Sequence, residues 1–467
     1  MNATEKLSPE EKRGLLTKLI QKRFSKYASV AASDHEQTVL ERFGVTTAEI
    51  REEAVLDASI RFDAPLKKAV NEPANIFLTG ATGFLGAFLV YEVLKQTKAN
   101  IYCLVRASRM EEGRQRIYKT LETYLPENGW RSPRIVPVPG DLSKPLFGLS
   151  ESEFTDLAGV ADSVFHNGAM VHGLHNYKQL KPTNVLGTTE AIRLASLGER
   201  KPLHYVSTVA AVPLEDKFEV KVVTETELDY DGLLYGGYTQ TKWVAEQLVC
   251  KARALGLPAR IYRPGIITGH SQTGVWSTSD ATSRMLKIAV ETGILPDIEG
   301  AMDMTPVDYV SKALVYLAHS GRATSDIYHL ANPKPVNGRD LVSWVRTYGY
   351  PLRRIPYEEW RSEIVAAAGR SDKNPLAPFA PLFGAVISDK IPGWMAGMVA
   401  PSYQKGVDRV IRAIGARYGA QSVQLNCDNA LRDLAGASIA CPAVDQQLLE
   451  TYFSYFIRIG YLTVPAR

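Results

Sequence analysis

From residue 75 onward the chain alternates short, nearly uninterrupted apolar runs with longer stretches whose apolar positions recur every three to four residues. Runs of the first kind suit strands buried on both faces, and stretches of the second kind suit the helices that cover them. The pattern therefore predicts a doubly wound parallel sheet of the α/β class. Six strands are expected: "NIFLTG" from residue 75, "IYCLVRA" from 101, "IVPVPGDL" from 135, "SVFHNGA" from 163, "LHYVST" from 203 and "ARIYRPG" from 259. Each ends in small or polar residues, where an open sheet of this class presents its ligand-binding loops. Beyond about residue 276 helical stretches dominate, with prolines interrupting residues 374–402. Ahead of the sheet, Ser8, Pro9 and Glu11 read as the N-cap, first-turn proline and capping box of a helix with Leu15, Leu16, Leu19, Ile20 and Phe24 on one face. The expected organisation is a helical segment over 1–70, the α/β domain over 71–275 and a smaller, mainly helical substrate-binding or lid domain over 276–467.

The first strand runs into "GATGFLGAFLVYEVL", which places Gly80, Gly83 and Gly86 between strand and helix, the context that a dinucleotide fingerprint requires. Gly80 would allow the tight turn, Gly83 the close approach of backbone to pyrophosphate, and Gly86 the contact of helix with sheet. Thr82, Phe84 and Leu85 complete this loop, whose amides face the phosphates at the helix N-terminus. Twenty residues beyond Gly86, at the end of the second strand, Arg106 stands where an NAD enzyme carries an acidic residue for the ribose. A guanidinium suits a 2′-phosphate instead, so NADPH is the expected cofactor. Arg116 is a second candidate for that phosphate. Asp141 and Leu142 follow the third strand near the expected adenine, and Asn167 ends the fourth.

A second constellation sits in "YGGYTQTKWVAEQ", with Tyr238 four positions before Lys242. A tyrosine has an ordinary pKa near 10 and is a poor acid at neutral pH unless a neighbouring positive charge stabilises its phenolate. On a helix, residues four apart share a face, so Lys242 can supply that charge. The preceding strand ends in Ser207 and Thr208, which offer a hydroxyl where a substrate carbonyl would lie. Asn184, on the helix before that, could hold a water or a backbone group that supports the lysine.

These motifs, "FLTGATGFLGAFL", "CLVRA", "GDLS", "HNGAMVH", "PTNVLGT", "YVST", "YTQTKWVAE" and "YRPGIITG", resemble the extended short-chain dehydrogenases. Within them the chain is similar to the thioester reductase domains that end nonribosomal peptide and polyketide synthetases and carboxylic acid reductases. The lead-in "AVLDASIRFD" and the tail "CPAVDQQLLETYFSYFIRIGYL" extend the likeness over most of residues 50–467. The resemblance implies a Rossmann-type fold and reduction, by NADPH, of an acyl or peptidyl thioester borne on the phosphopantetheine arm of a carrier protein. It implies that Thr208 and Tyr238 bond the carbonyl oxygen, Tyr238 acting as general acid. Lys242 would lower the tyrosine pKa and bind the ribose, and Pro264 and Gly265 would lie against the nicotinamide. The product would be an aldehyde, or an alcohol after a second round, and the domain would act as a monomer. The sequence carries no Asp-Ser-Leu carrier motif and no adenylating domain, so the substrate is expected from another protein or from a longer parent chain. A free-standing reductase of acyl-CoA or another small carbonyl compound is the alternative, and an NADP-binding scaffold with an unused pair is a third.

Composition narrows the remaining classes. The 467 residues exceed a single core, and 45% apolar with 22% charged residues is ordinary for a globular chain. A net charge of +4 without a basic block argues against nucleic acid. Cys103, Cys250, Cys427 and Cys441 are too scattered for a zinc site or a disulfide framework, which suits a reducing cytoplasm. The N-terminus lacks a signal-like apolar core, and "GAVISDKIPGWMAGMVAP" is broken by charge and proline, so neither export nor a membrane span is expected. His166, His172 and His175 lack partners at metal-binding spacing and read as loop hydrogen-bonders. Tyr452, Phe453, Tyr455 and Phe456 read as the buried face of the last helix, and the Trp394–Met395–Met398 segment as lid core or an acyl-chain channel.

Overall fold

The computed structural model describes residues 44–67, 72–125, 130–173, 175–213, 221–297, 301–356, 359–360, 362–364 and 423–465. The proposed N-terminal helix and the Trp394–Met398 segment lie outside these residues. At its centre is a seven-stranded sheet: β1 (Asn75–Thr79), β2 (Asn100–Val105), β3 (Ile135–Pro139), β4 (Ser163–His166), β5 (Leu203–Val206), β6 (Ala259–Pro264) and β7 (Ile327–Leu330). The spatial order is β3-β2-β1-β4-β5-β6-β7, with every neighbouring pair parallel. The chain winds outward from β1 to β3 and then returns to β4 on the other side of β1. That reversal opens a crevice beyond the carboxyl ends of β1 and β4, where ligands of this fold class bind.

Successive residues of each strand feed opposite cores. Phe77, Val164, Ile261 and Ile327 point into one, while Ile76, Leu78, Phe165, Tyr262 and Tyr328 point into the other. Burial on both faces is why these strands read as continuous apolar runs. On the second face α1 (Phe84–Gln96) is buried nearly all round, covered in turn by α2 (Met110–Tyr124) and by a later helix at Val307–His319. The first face is covered by α3 (Glu151–Val160), α4 (Gly187–Ser196) and α5 (Gly237–Ala254). A short helix, Tyr177–Lys181, and one π turn, Pro182–Leu186, lead straight into α4.

Past residue 276 the chain does not leave the sheet for good. Helix α6 (Ala281–Thr292) stands outside it, but α7 (Val307–His319) packs on α1, and β7 adds a seventh strand beside β6. The four-residue strand "IYHL" lies within the stretch expected to be a separate, mainly helical domain, so its return to the sheet was not expected. A third core, separate from the sheet, gathers Trp276 and residues of α8 (Gly338–Thr347) and α9 (Gln446–Arg458). Tyr452, Phe453 and Phe456 form its buried face, as the helical spacing of that aromatic run implies, and Trp276 stacks on Phe456 with centroids 5.5 Å apart.

Candidate active site

Two of the three turn glycines are explained by the chain itself. Gly80 has φ +78°, and a Cβ there would come within 2.8 Å of the Gly168 backbone after β4. A Cβ on Gly86 would lie 1.9 Å from the Gly80 carbonyl oxygen, so the helix can meet the turn only as glycine. Gly83 differs: a Cβ would touch nothing closer than the Gly80 oxygen at 3.4 Å. Its exposed backbone borders open space in front of α1, whose N-terminus has no side-chain cap. The first amides of that helix therefore remain available to an anion, and the cradle fits a pyrophosphate. Thr82 is exposed at the mouth of the turn, Leu85 is buried, and the Phe84 ring packs edge-on against Phe88 and Tyr124. Phe84 and Leu85 thus meet the cradle through their backbone.

The floor of the crevice is fixed by polar contacts between strand ends. Thr79 Oγ1 accepts from the Gly168 amide at 2.8 Å and bonds His166 Nδ1, whose ring is held on the other side by Thr188. Burial pushes the His166 pKa down to about 3, so the ring is neutral and serves as a spacer. Asn167 donates to the Gly80 carbonyl at 3.4 Å, which makes it a brace for the turn. Leu142 fills the hollow left by two glycines, since a Cβ at Gly168 or Gly187 would meet its side chain at 2.8 Å.

Arg106 follows β2 directly and is exposed at an open cleft of about 800 Å³, together with Arg109, Lys144 and Asp141. Burial raises the Asp141 pKa, but the amide and hydroxyl of Ser143 outweigh it and hold the carboxylate below its usual range, helped by the charge of Arg106. Arg116 is exposed, and its Nη1 donates to the Arg106 backbone carbonyl. The bond ties Arg116 to the loop that carries Arg106.

The second constellation assembles where α5 begins. Gly236 has φ +80°, and a Cβ on Gly237 would lie within 2.4–2.6 Å of the His175–Tyr177 backbone. The paired glycines let the first turn of α5 press against that loop and so set where half-buried Tyr238 stands. Thr241 Oγ1 donates to the Tyr238 carbonyl at 2.9 Å and accepts from Asn184 at 3.0 Å. Asn184 lies in the π turn and also clasps both backbone groups of Met170, so it holds backbone around the pair. Lys242 is buried, donates from Nζ to the Val206 carbonyl at 2.7 Å and lies 4.2 Å from the Tyr205 ring centroid. Burial lowers its pKa to about 7, with Glu246 opposing.

Thr208, two residues beyond Val206, caps the turn Val209–Ala211, its Oγ1 accepting the Ala210 amide at 3.1 Å. Ser207 does not offer its hydroxyl beside it. The side chain is buried and donates to Glu246 Oε2 at 2.5 Å, because alternation along the strand turns it toward α5. Glu246 in turn takes Arg263 Nη2 at 2.6 Å in a fully buried ion pair, and Arg263 immediately precedes Pro264 and Gly265. The Gly265 amide donates to the Leu330 carbonyl at 3.1 Å. Sequence reasoning missed Glu246, Arg263 and Tyr205; the signal for the first was its place four residues after Lys242. His172 and His175 stack with centroids 3.7 Å apart, and among the described residues no three metal-binding side chains converge.

A phosphate-cradling turn at the switch point of a doubly wound sheet, with a Tyr-x-x-x-Lys helix behind it, defines an oxidoreductase of the extended short-chain dehydrogenase type that binds a nicotinamide dinucleotide. The NAD-binding family described as "Male sterility protein" matches residues 78–314. The terminal R domain of the myxalamid polyketide–nonribosomal peptide pathway is 41% identical, with a TM-score of 0.76 over 90% of this chain and 100% of that one. The reductase domain of a Mycobacterium tuberculosis nonribosomal peptide synthetase is 25% identical with a TM-score of 0.66, over 90% and 100%. Among curated proteins, a linear gramicidin synthase of Brevibacillus parabrevis is 36% identical over 89% of this chain but 8% of its own length. The L-2-aminoadipate reductase of Penicillium chrysogenum is 32% identical, in its large subunit, over 85% and 28%. The chain spans less than a third of the first curated relatives it matches. The chain belongs to this NAD-binding family and, within it, to the terminal reductase domains.

Proposed function

We propose that the protein uses NADPH to release an acyl or peptidyl chain from a phosphopantetheine carrier protein as an aldehyde, with the alcohol of a second round as the alternative product. The observation that carries this reading is the likeness, over 90% of this chain, to a synthetase's terminal reductase domain, combined with Thr208, Tyr238 and Lys242 on adjoining elements beside an anion cradle. Gly80, Gly83, Gly86 and the backbone of Thr82, Phe84 and Leu85 would hold the pyrophosphate. Asp141 and Leu142 would border the adenine. Arg106 would take the 2′-phosphate, in a cleft that also carries Arg109 and Lys144, and Lys242 the nicotinamide ribose, against the wall of Pro264 and Gly265.

When bound, the reduced nicotinamide supplies two electrons and one hydrogen to the thioester carbonyl carbon. The chain's own groups manage the oxygen. Thr208 Oγ1 accepts from the Ala210 amide, which leaves its own hydrogen free to donate to the carbonyl. Tyr238 donates its phenolic proton as negative charge develops there, and the Lys242 ammonium lowers the energy of the phenolate left behind. The resulting hemithioacetal loses its carbon–sulfur bond, releasing the thiol on its arm and the aldehyde. The third core, with α6, α8 and α9, would form the substrate side of the site. We further propose a monomer working in the cytoplasm. The four cysteines are free thiols, and among the described residues no helix is long and apolar enough to cross a membrane.

The test is the loss of NADPH absorbance with one acyl chain offered on a carrier protein and on coenzyme A, with products identified. Turnover of the carrier-bound form supports the proposal. Turnover of the coenzyme A thioester alone would replace it with a free-standing reductase.

A further inference from the structure

Gly265 is a glycine for a reason that has nothing to do with its own backbone. Its φ lies outside the left-handed region, yet a Cβ would come within 1.6 Å of Asp303 Oδ2, and the nearest three atoms all belong to that carboxyl. A side chain is barred from position 265 by one residue. Asp303 sits between two short strands, Ala301–Met302 and Met304–Pro306, the second of which pairs in parallel with Ile266–Thr268. Its Oδ1 accepts from the Thr305 hydroxyl at 2.6 Å and from the Asn332 amide, just past β7, at 2.7 Å. Asn332 uses its own side chain to donate to Met304 and Pro442. Oδ2 is shut off from solvent and takes no hydrogen bond of normal geometry from any described residue. Burial raises the carboxyl's pKa to about 6, against the pull of Thr305 and of the Asn332 and Ile266 amides.

A carboxyl with one oxygen shut off from solvent and without a hydrogen bond of normal geometry is an expensive way to fill space, since burial strips that oxygen of its hydration. A methyl at 265 opposite a small residue at 303 would fill it without that penalty. What the carboxyl does, and a methyl would not, is bond the segment after β7 through the Asn332 amide while it abuts Gly265, with the Ile266 amide near enough to pull on its charge. We propose that Asp303 is a positioning residue for the nicotinamide end of the cofactor site, fixing the Pro264–Gly265 wall that the ring lies against. The proposal rests on the NADPH reading above.

The test separates the two ends of the cofactor by comparing NADP⁺ with adenosine 2′,5′-bisphosphate, which lacks the nicotinamide riboside. Dissociation constants are measured by calorimetry on the full chain, alongside melting temperatures. Asp303→Ala should weaken NADP⁺ about tenfold, the equivalent of one lost hydrogen-bonded anchor, while the bisphosphate stays within about twofold. Gly265→Ala should do the same by collision. In the double variant the collision is gone, so its NADP⁺ affinity should match that of Asp303→Ala rather than fall to the sum of the two. Equal weakening of both ligands in Asp303→Ala would mean general loss of structure and overturn the proposal, as would unchanged NADP⁺ affinity. If Asp303→Ala does not fold, Asp303→Asn replaces it. This variant keeps Oδ1 as an acceptor, so NADP⁺ affinity should stay within about threefold while Gly265→Ala still weakens it about tenfold, and a larger loss in Asp303→Asn or an unmoved affinity in Gly265→Ala would overturn the proposal. Failure of the unaltered protein to bind the bisphosphate would instead overturn the NADPH reading, and this proposal with it.

Discussion

The buried pair of Glu246 and Arg263 offers the sharpest test of how the site is held. Both side chains are fully excluded from solvent. The carboxylate takes the Arg263 guanidinium at 2.6 and 3.1 Å and the Ser207 hydroxyl at 2.5 Å, while the guanidinium also donates to the Thr226 carbonyl at 2.7 Å. One side chain of α5 therefore joins the residue before Thr208 to the residue before Pro264. Glu246→Gln keeps the shape and one acceptor but leaves a guanidinium buried without its counter-charge. Removing one partner of a buried pair costs about 3–5 kcal/mol, a large share of the roughly 5–15 kcal/mol that holds most domains. Replacing both, as in Glu246→Gln with Arg263→Met, removes the stranded charge and should recover more than half of that loss. The assay is urea unfolding of the four proteins of this cycle, followed by tryptophan fluorescence, with kcat/KM recorded against pH. Glu246 raises the Lys242 pKa, so the Glu246→Gln profile should move to lower pH as well. A single-variant cost below about 1 kcal/mol, with an unmoved pH profile, would refute the idea that this pair is an uncompensated strut once broken.

Three further outcomes are expected. Tyr238→Phe should lower kcat by about 10²–10⁴ while the NADP⁺ dissociation constant stays within about twofold, because only the acidic proton is lost; near-normal turnover in stopped-flow assays would remove Tyr238 from its role. Arg106→Ala should raise KM for NADPH about tenfold or more and leave KM for NADH nearly unchanged, as steady-state kinetics with both cofactors will show. Burial puts the Lys242 pKa at about 7, below its unfolded value, so the folded state disfavours the proton. Stability should therefore rise with pH from about 7 toward the unfolded lysine value, whereas kcat/KM, which needs the ammonium, should fall as pH passes upward through about 7. Thermal melts and pH–rate profiles report the two slopes, and Lys242→Met should abolish both.

Much of the site was legible because it is local. The glycine turn, Arg106 and the Tyr238–Lys242 pair each lie within one strand-to-helix unit, where period and spacing are visible, and the six expected strands all form. What escaped is what two distant segments make together. Ser207 looked like an offered hydroxyl because its partner, Glu246, is 39 residues away. The bond from Arg116 to the Arg106 carbonyl was equally hidden, because the two residues lie on different elements ten positions apart. Strand β7 and helix α7 lie past residue 276, in the stretch expected to be a separate domain, and only contacts with β6 and α1 far back along the chain return them to the sheet.

The same contrast explains why the supports matter to chemistry. Thr208, Tyr238 and Lys242 come from two elements, and the Pro264–Gly265 wall comes from a third; no local rule fixes their mutual placement. That placement is fixed by buried groups that touch neither substrate nor cofactor in the proposed mechanism: Glu246 with Arg263 and Ser207, and Asn184 with Thr241 and Met170. Each buried polar group must be satisfied or its cost is borne by the fold, so such networks tolerate few arrangements. A site built this way has one geometry. The transition state benefits, since donors aimed in advance at a developing oxyanion need no reorganisation as charge appears.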